Sequence, residues 1–410
     1  MGREAGAFRK LLVAQGVERL GFYIVLDLIG LYANEKLGWS ESSAALLGGL
    51  LGGAAYAGPI CGGSVSDRVG RHVALAAGAV ALCVSYFSLA FGLPMLLVCA
   101  ALAVGNGLYK PAATATAGSA AMSDDARRAI YKFYAAINVG ALTAAPLGEL
   151  IKRHFGWTVT FAAAAAMLAV TLVLVAQRDV REAAASTSTT LANTKTRVQR
   201  FTAPERALYG LYAAAALFWC AFNQFNGSLT FFAKNAVDRT LMWFVVPPVL
   251  FASLNSVFVI ALGERVPLFF KRCGLGFKHQ LVAGMLIVAA GFGAVAAVAS
   301  GAAPHSLSML WLLGIYFALT VAELAISPAI IAMLSDAAPA KRIGAHMGFW
   351  FGSNAAGYAL SGGIGWIRGL TSDSVAFALT AAVAVVGACM MWLSAKSIVE
   401  RDDEVKLAVA

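Results

Sequence analysis

Long apolar runs alternate with short polar ones along the 410 residues, at a spacing suited to helices that cross a bilayer. The pattern predicts twelve spans: about 9–34, 43–65, 73–92, 94–118, 130–150, 157–176, 206–234, 243–264, 280–299, 307–334, 344–366 and 374–395. The first span breaks the apolar rule. Gln15, Arg19, Tyr23 and Asp27 recur every four residues, so a helix sets them on one polar ridge, with Glu18 beside it. A charge near the bilayer centre costs roughly 2.5–3.5 kcal/mol on insertion scales. Three ionisable groups in one membrane helix therefore need partners and belong against a bundle interior or an aqueous cavity. A network of Glu18, Arg19 and Asp27 that only fixes helix packing is the blander use of the same residues.

Composition supports the spans. The chain is 60% hydrophobic and 13% charged, against roughly 25% charged in soluble domains, which excludes a soluble globular protein. The formal net charge of +10 would suit a nucleic-acid partner, but its distribution argues against one. Arg3, Arg9, Lys10, Arg68, Arg71, Arg127, Arg128, Lys132, Arg265, Lys271, Arg272, Lys278, Lys341, Arg342 and the basic residues of 178–206 fall on the side of the termini. The opposite loops hold only Lys36, Lys152, Arg153, Lys234, Arg239 and Arg368. That asymmetry is the positive-inside pattern, so both termini are expected in the cytoplasm of a multi-pass cell (inner or plasma) membrane protein. Six scattered cysteines, with no CxxC and no Cys/His cluster, suggest neither a disulfide framework nor a metal site. The first apolar stretch is too long and too charged for a cleaved leader and is expected to remain as the first span.

Arg178–Arg206 is polar, basic and rich in small residues, and reads as a flexible cytoplasmic linker. It divides the chain into an N-terminal six-helix bundle (1–177), a linker (178–205), a C-terminal six-helix bundle (206–396) and a cytoplasmic tail (397–410). Six spans plus six, with a site at the midplane, is the major-facilitator architecture, so the fold class expected is all-α integral membrane.

Several short patterns carry candidate chemistry. Gly63-Ser-Val-Ser-Asp67-Arg68-Val-Gly70-Arg71 follows the second span and resembles the loop 2–3 signature of the major facilitator superfamily, G-x-L-A-D-R-x-G-R-K. The second span itself is crowded with glycine and alanine, which let helices approach closely in lipid. The fourth contains Gly105-Asn-Gly107-Leu-Tyr109-Lys110-Pro111, whose ammonium must be paired, wetted or snorkelled to a surface. The fifth opens with Phe133-Tyr134-Ala-Ala-Ile137-Asn138-Val-Gly140, where Asn138 either binds a ligand or bridges helices. In the second half stand Asn223-Gln224…Gly227-Ser228, Pro247-Pro248…Phe251…Asn255 and Glu323-Leu-Ala-Ile-Ser327-Pro328. Glu323 is the only carboxylate deep in the second bundle, and suits either a proton carrier or a protonated helix-to-helix hydrogen bond.

Together the motifs resemble the proton-dependent oligopeptide (POT, peptide transporter) family of the major facilitator superfamily, over roughly residues 10–365. The stretch 133–140 is similar to that family's FYxxINxG signature, and Gln15-x-x-Glu18-Arg19-Leu20-x-Phe22-Tyr23 to its ExxERFxYY motif. Tyr56-x-x-Pro59-x-x-Gly62-Gly63, Gln224-x-x-Gly-Ser228 and Phe251-x-x-Leu-Asn255 fall in the family's order. The resemblance implies alternating-access transport of di- and tripeptides or peptide-like compounds, driven by a proton gradient and needing no cofactor. It implies that Glu18, Arg19, Lys110 and Glu323 couple and gate. Lys110 would be the cross-cavity partner of Glu18 and Arg19. Tyr23, Tyr56 and Asn138 would contact peptide backbone, Gln224 would line the site, and Asn255 with Glu323 would receive the substrate's ammonium. The partners implied are a small peptide-like substrate, protons and the bilayer, with a monomer expected.

The chain departs from the family pattern. Gln15 replaces the first motif carboxylate, and Phe22 the first tyrosine of the pair. Leu26 and then Asp27 stand where many members carry an arginine, which removes a carboxylate clamp and adds an anion. Asp27 therefore joins the expected substrate-binding residues, for an unusual or cationic compound. Gln15 and Leu26 also keep open an exporter or antiporter of a peptide-like metabolite or toxin. A non-transporting sensor is disfavoured by the short tail after Glu400. A membrane enzyme is disfavoured by the lack of any HExxH or Ser/His/Asp constellation.

Overall fold

The computed structural model describes residues 2–120, 126–186, 203–337 and 343–409. Its helices are α1 (Gly2–Glu35), α2 (Glu41–Val69), α3 (Arg71–Ala90), α4 (Met95–Ala120), α5 (Ala126–Val175), α6 (Arg178–Ser186) and α7 (Glu205–Phe222). Then follow α8 (Ser228–Asn235), α9 (Ser253–Leu262), α10 (Arg265–Arg272), α11 (Phe277–Ala299), α12 (Leu310–Ala337), α13 (Ile343–Leu370) and α14 (Asp373–Val409). Among the described residues, seven helices are long and apolar enough to cross a membrane, or eight if the bent pair around α9 and α10 counts as one span. The helix α1 is not one of them, because Glu18, Arg19 and Asp27 interrupt its apolar run.

Two expected spans, the seventh and the eighth, are interrupted helices, while the fifth and sixth run on with only a kink between them. The fifth and sixth meet inside α5, where Gly156 takes φ +80° and ψ 178°, a left-handed conformation open to glycine. The seventh was expected unbroken over 206–234. Instead it is split by a 3-10 turn at Asn223–Asn226 into α7 and α8. The carbonyl freed at Phe225 accepts from Thr230 Oγ1 and Tyr316 Oη, both at 3.1 Å, so the break is satisfied internally. The eighth starts later than the expected 243. Thr240–Leu241 and Phe244–Val245 pair as a two-stranded hairpin, and helical structure begins at Pro248. Pro247 and Pro248 lack amide hydrogens, and the residue before a proline is disfavoured in helix. The span then bends by 56° between α9 and α10. The linker is not wholly irregular: residues 178–186 form α6, while 187–202 of the linker lie outside the described residues.

The chain divides into two compact units, Met1–Tyr32 with Ala54–Arg197, and Ala33–Gly53 with Val198–Ala410. In the first, glycines set helix spacing. A Cβ on Gly62 would lie 1.8 Å from the Gly107 carbonyl oxygen, and one on Gly58 1.9 Å from that of Ala103, so α2 and α4 touch backbone to backbone. Gly140 brings α5 against α1 in the same way, its Cβ position lying 2.6 Å from the Gly16 carbonyl oxygen.

The second unit is built on a large apolar core that includes Phe218, Phe232, Phe292, Leu319 and Phe377. Residues 33–53, expected within the first bundle, cluster here for two visible reasons. Gly49 and Gly52 admit Gly362 and Tyr358 of α13. Arg368 of α13 also binds Glu41 at 2.8 Å and Asp373, while Asn235 donates to Glu41 at 2.8 Å.

Candidate functional site

In the first unit the polar ridge of α1 is buried. Gln15, Glu18, Arg19 and Asp27 are each at most 5% exposed, and Tyr23 is half-buried. Arg19 donates to both oxygens of Glu18, through Nε to Oε2 and Nη2 to Oε1. Gln15 Nε2 adds a third donor to Oε2 at 3.3 Å. Arg19 Nη2 also reaches Asn106 Oδ1 of α4 at 3.0 Å, and its guanidinium lies 4.4 Å from the Phe22 ring centre. The cost of burying Arg19 is thus offset by a bidentate carboxylate, an amide and a ring face.

Lys110 stands within electrostatic reach of Glu18 and Arg19 and shares the Phe22 ring with Arg19. Its Nζ lies 3.6 Å from the Tyr56 ring centre and 5.8 Å from that of Phe22, and it forms no ion pair among the described residues. The glycine contact between α2 and α4 produces this pairing, since Tyr56 and Lys110 sit on the two helices so joined. Ring faces, rather than a carboxylate, are thus the close partners of this ammonium among the described residues. Asn138 turns to its own helix, donating to the Tyr134 carbonyl at 3.0 Å. Asp27 has a buried oxygen, Oδ1, without a hydrogen-bond partner among the described residues.

In the second unit Asn255 of α9 spends both amide hydrogens on α12. Nδ2 donates to Glu323 Oε2 at 3.0 Å and to Thr320 Oγ1 at 3.1 Å. Thr320 in turn donates to the Tyr316 carbonyl at 2.8 Å, one helical turn back. The amide carbonyl of Asn255 is thereby turned to accept, next to a carboxylate. Gln224 is fully buried at the 3-10 break. It donates to the carbonyls of Cys220 and Ser361 at 3.3 and 3.4 Å and accepts from Ser228 at 2.6 Å, contacts that seal the break. Gln224 shares no hydrogen bond with Asn255 or Glu323 among the described residues.

Comparison with known families decides the identity. A model of the Major Facilitator Superfamily matches residues 11–275, and one of the POT family matches residues 190–372. The chain belongs to the Major Facilitator Superfamily, and its second half is similar to the POT family. It is 24% identical to dipeptide and tripeptide permease A of Yersinia pestis, covering 91% of this chain and 86% of that protein. It is 26% identical to dipeptide and tripeptide permease B of Salmonella typhimurium, covering 84% and 83%. A solved POT family transporter in complex with a thioalcohol-conjugated peptide shares the fold, with TM-score 0.82, 17% identity and coverage of 95% and 96%. These relatives are permeases and transporters, and the chain is a membrane transporter rather than an enzyme.

Within this major-facilitator chain the loop motif explains itself. Only Gly70 separates α2 from α3, and it adopts φ +90°, where a side chain would be strained. Arg71 then enters α3 buried, whereas Asp67 and Arg68 are exposed. Asp67 accepts no hydrogen bond among the described residues. Gly63, half-buried on α2, has Pro111 of α4 as its near neighbour. Asn106 and Thr320 complete the two clusters and were not singled out from sequence. A signal existed for Asn106: an amide between two glycines of an apolar span needs a partner.

Proposed function

We propose that this protein transports di- and tripeptides or peptide-like compounds across a cell membrane by alternating access, coupled to protons, with both termini cytoplasmic and the chain acting as a monomer. The pairing of Asn255 with Glu323, an acceptor carbonyl beside a lone carboxylate, carries the reading. It suits a substrate ammonium. Arg19 and Lys110 in the first unit suit the carboxylate end, and Tyr23, Tyr56 and Asn138 the peptide backbone. The names of the permease relatives support the substrate class. Protonation of Glu323 would weaken the grip on an ammonium and so link release to the gradient. Glu18 and Arg19 gate through their own ion pair.

Asp27 adds a buried anion to the same helix, which favours cationic or modified peptides. Gln15 supports export as the second reading, because the usual first carboxylate of the motif is absent.

The test is uptake of labelled dialanine into proteoliposomes under an inward proton gradient, comparing wild type with Glu323→Gln and Lys110→Ala. Gradient-driven uptake that is lost in both variants supports the reading. Folded wild-type protein inert toward dialanine, cationic dipeptides and modified dipeptides in both directions would overturn it.

A further inference from the structure

Away from the polar clusters, the outer face of the first unit carries an open groove of two contiguous parts. One part, of about 400 Å³, is lined by His72, Arg178, Arg181 and Glu182 together with Ala185. The other, of about 450 Å³, is lined mainly by aliphatic side chains of α3, including Val73, Ala77 and Val80. His72 and Arg181 line both parts, so a basic mouth opens directly onto an apolar trough.

The mouth is built by α6. This short helix buries Val180 and Ala184 one turn apart against the unit and is tied to α1 by an ion pair of 2.7 Å between Lys10 and Asp179. Beside that buried face the helix presents the exposed Arg181, which forms no ion pair among the described residues. Arg178 and Glu182 neutralise each other at 2.7 Å. The trough runs along α3 from His72 to Val80, roughly 12 Å at 1.5 Å per residue. Val73 and Val80 remain 42% and 46% exposed in it.

We propose that this groove binds one anionic glycerophospholipid, its phosphate at His72 and Arg181 and an acyl chain along Val73–Val80. A soluble anion would use the mouth but has no use for the trough. A zwitterionic lipid would use the trough but gains less from an unpaired guanidinium. Basic pockets between membrane helices at the positively charged side are suited to such head groups. The site lies apart from the transport residues and does not depend on which substrate they carry.

Native mass spectrometry of the full-length detergent-solubilised protein tests the assignment, with phosphatidylglycerol or phosphatidylcholine added at equal concentration. Wild type should retain one phosphatidylglycerol in preference to phosphatidylcholine by about fivefold, the preference one basic residue near a membrane surface confers. Arg181→Gln, a change at an exposed position on α6, should abolish the preference. Ala77→Trp should lower retention of both lipids by filling the trough while leaving the mouth intact. Equal retention of the two lipids by wild type would overturn the proposal, as would an unchanged preference in Arg181→Gln. Displacement of phosphatidylglycerol by millimolar inorganic phosphate would also overturn it, by showing the mouth alone to be the site.

Discussion

Gln15 Nε2 donates to Glu18 Oε2 at 3.3 Å, adding to the two hydrogen bonds that Arg19 already makes to the same carboxylate. An amide at position 15 therefore locks Glu18 into its ion pair where a carboxylate would compete for Arg19. The pair is fully desolvated, so removing one partner strands the other. Glu18→Gln should destabilise the protein by about 3–5 kcal/mol, the usual cost of an uncompensated buried charge. Thermal unfolding in detergent measures it, and a change below about 1 kcal/mol would contradict the account. Gln15→Glu should make uptake depend more steeply on the imposed proton gradient, because it returns a second carboxylate to the cluster.

The second cluster separates binding from coupling. Asn255→Ala removes the only donor described for Glu323 and the acceptor carbonyl beside it. A hydrogen bond to a charged group contributes about 1.5–3 kcal/mol, so the expected effect is a rise in KM of about tenfold or more. Gradient dependence should persist, because the carboxylate remains. Initial uptake rates across substrate concentration and pH distinguish the two effects. Loss of the gradient response in Asn255→Ala would place coupling on the pair and not on Glu323 alone.

How far these clusters could be read from sequence depended on whether partners were local. The α1 ridge, Lys110, Asn255 and Glu323 were legible, because a polar group in an apolar span stands out without any knowledge of its neighbours. Their pairings were not. Lys110 rests on the Tyr56 ring because Gly58 and Gly62 bring α2 onto α4, a contact between residues about fifty positions apart. The break at Asn223–Asn226 was hidden for the same reason. Its stretch reads as continuous apolar helix, and the Tyr316 hydroxyl that satisfies the freed carbonyl lies far along the chain. In α6, by contrast, the local signals were present: Arg178 and Glu182 are spaced i,i+4, and Val180 and Ala184 share a face. The polar, small-residue composition of the surrounding linker outweighed them.

The glycine contact that places Tyr56 under Lys110 gives a steric prediction. Gly62→Ala would set a methyl group 1.8 Å from the Gly107 carbonyl oxygen, a backbone atom with no rotamer to yield. The helices must separate, at a cost of about 1–3 kcal/mol for an overpacked contact. Transport should fall with stability, and Gly63→Ala makes the control, since its nearest described neighbour is Pro111 at 3.9 Å. Equal stability of the two variants would show that α2 and α4 are not held by this contact.

The α6 anchor supplies a pH dependence outside the membrane. Lys10 Nζ donates to Asp179 at 2.7 Å, and this hydrogen bond, first among its causes, holds the Asp179 carboxyl below its ordinary range. A carboxyl depressed in the folded state contributes stability that is fully present above the ordinary aspartate value, near 3.9, and is lost as pH falls through the folded value. Docking of α6 should accordingly be constant from pH 8 down to about 5 and weaken only below about 4. A nitroxide on Ala185→Cys reports the helix through its mobility. Asp179→Asn should raise that mobility already at pH 7 and remove the acid transition. A mobility transition between pH 6 and 7 would contradict the assignment to Asp179.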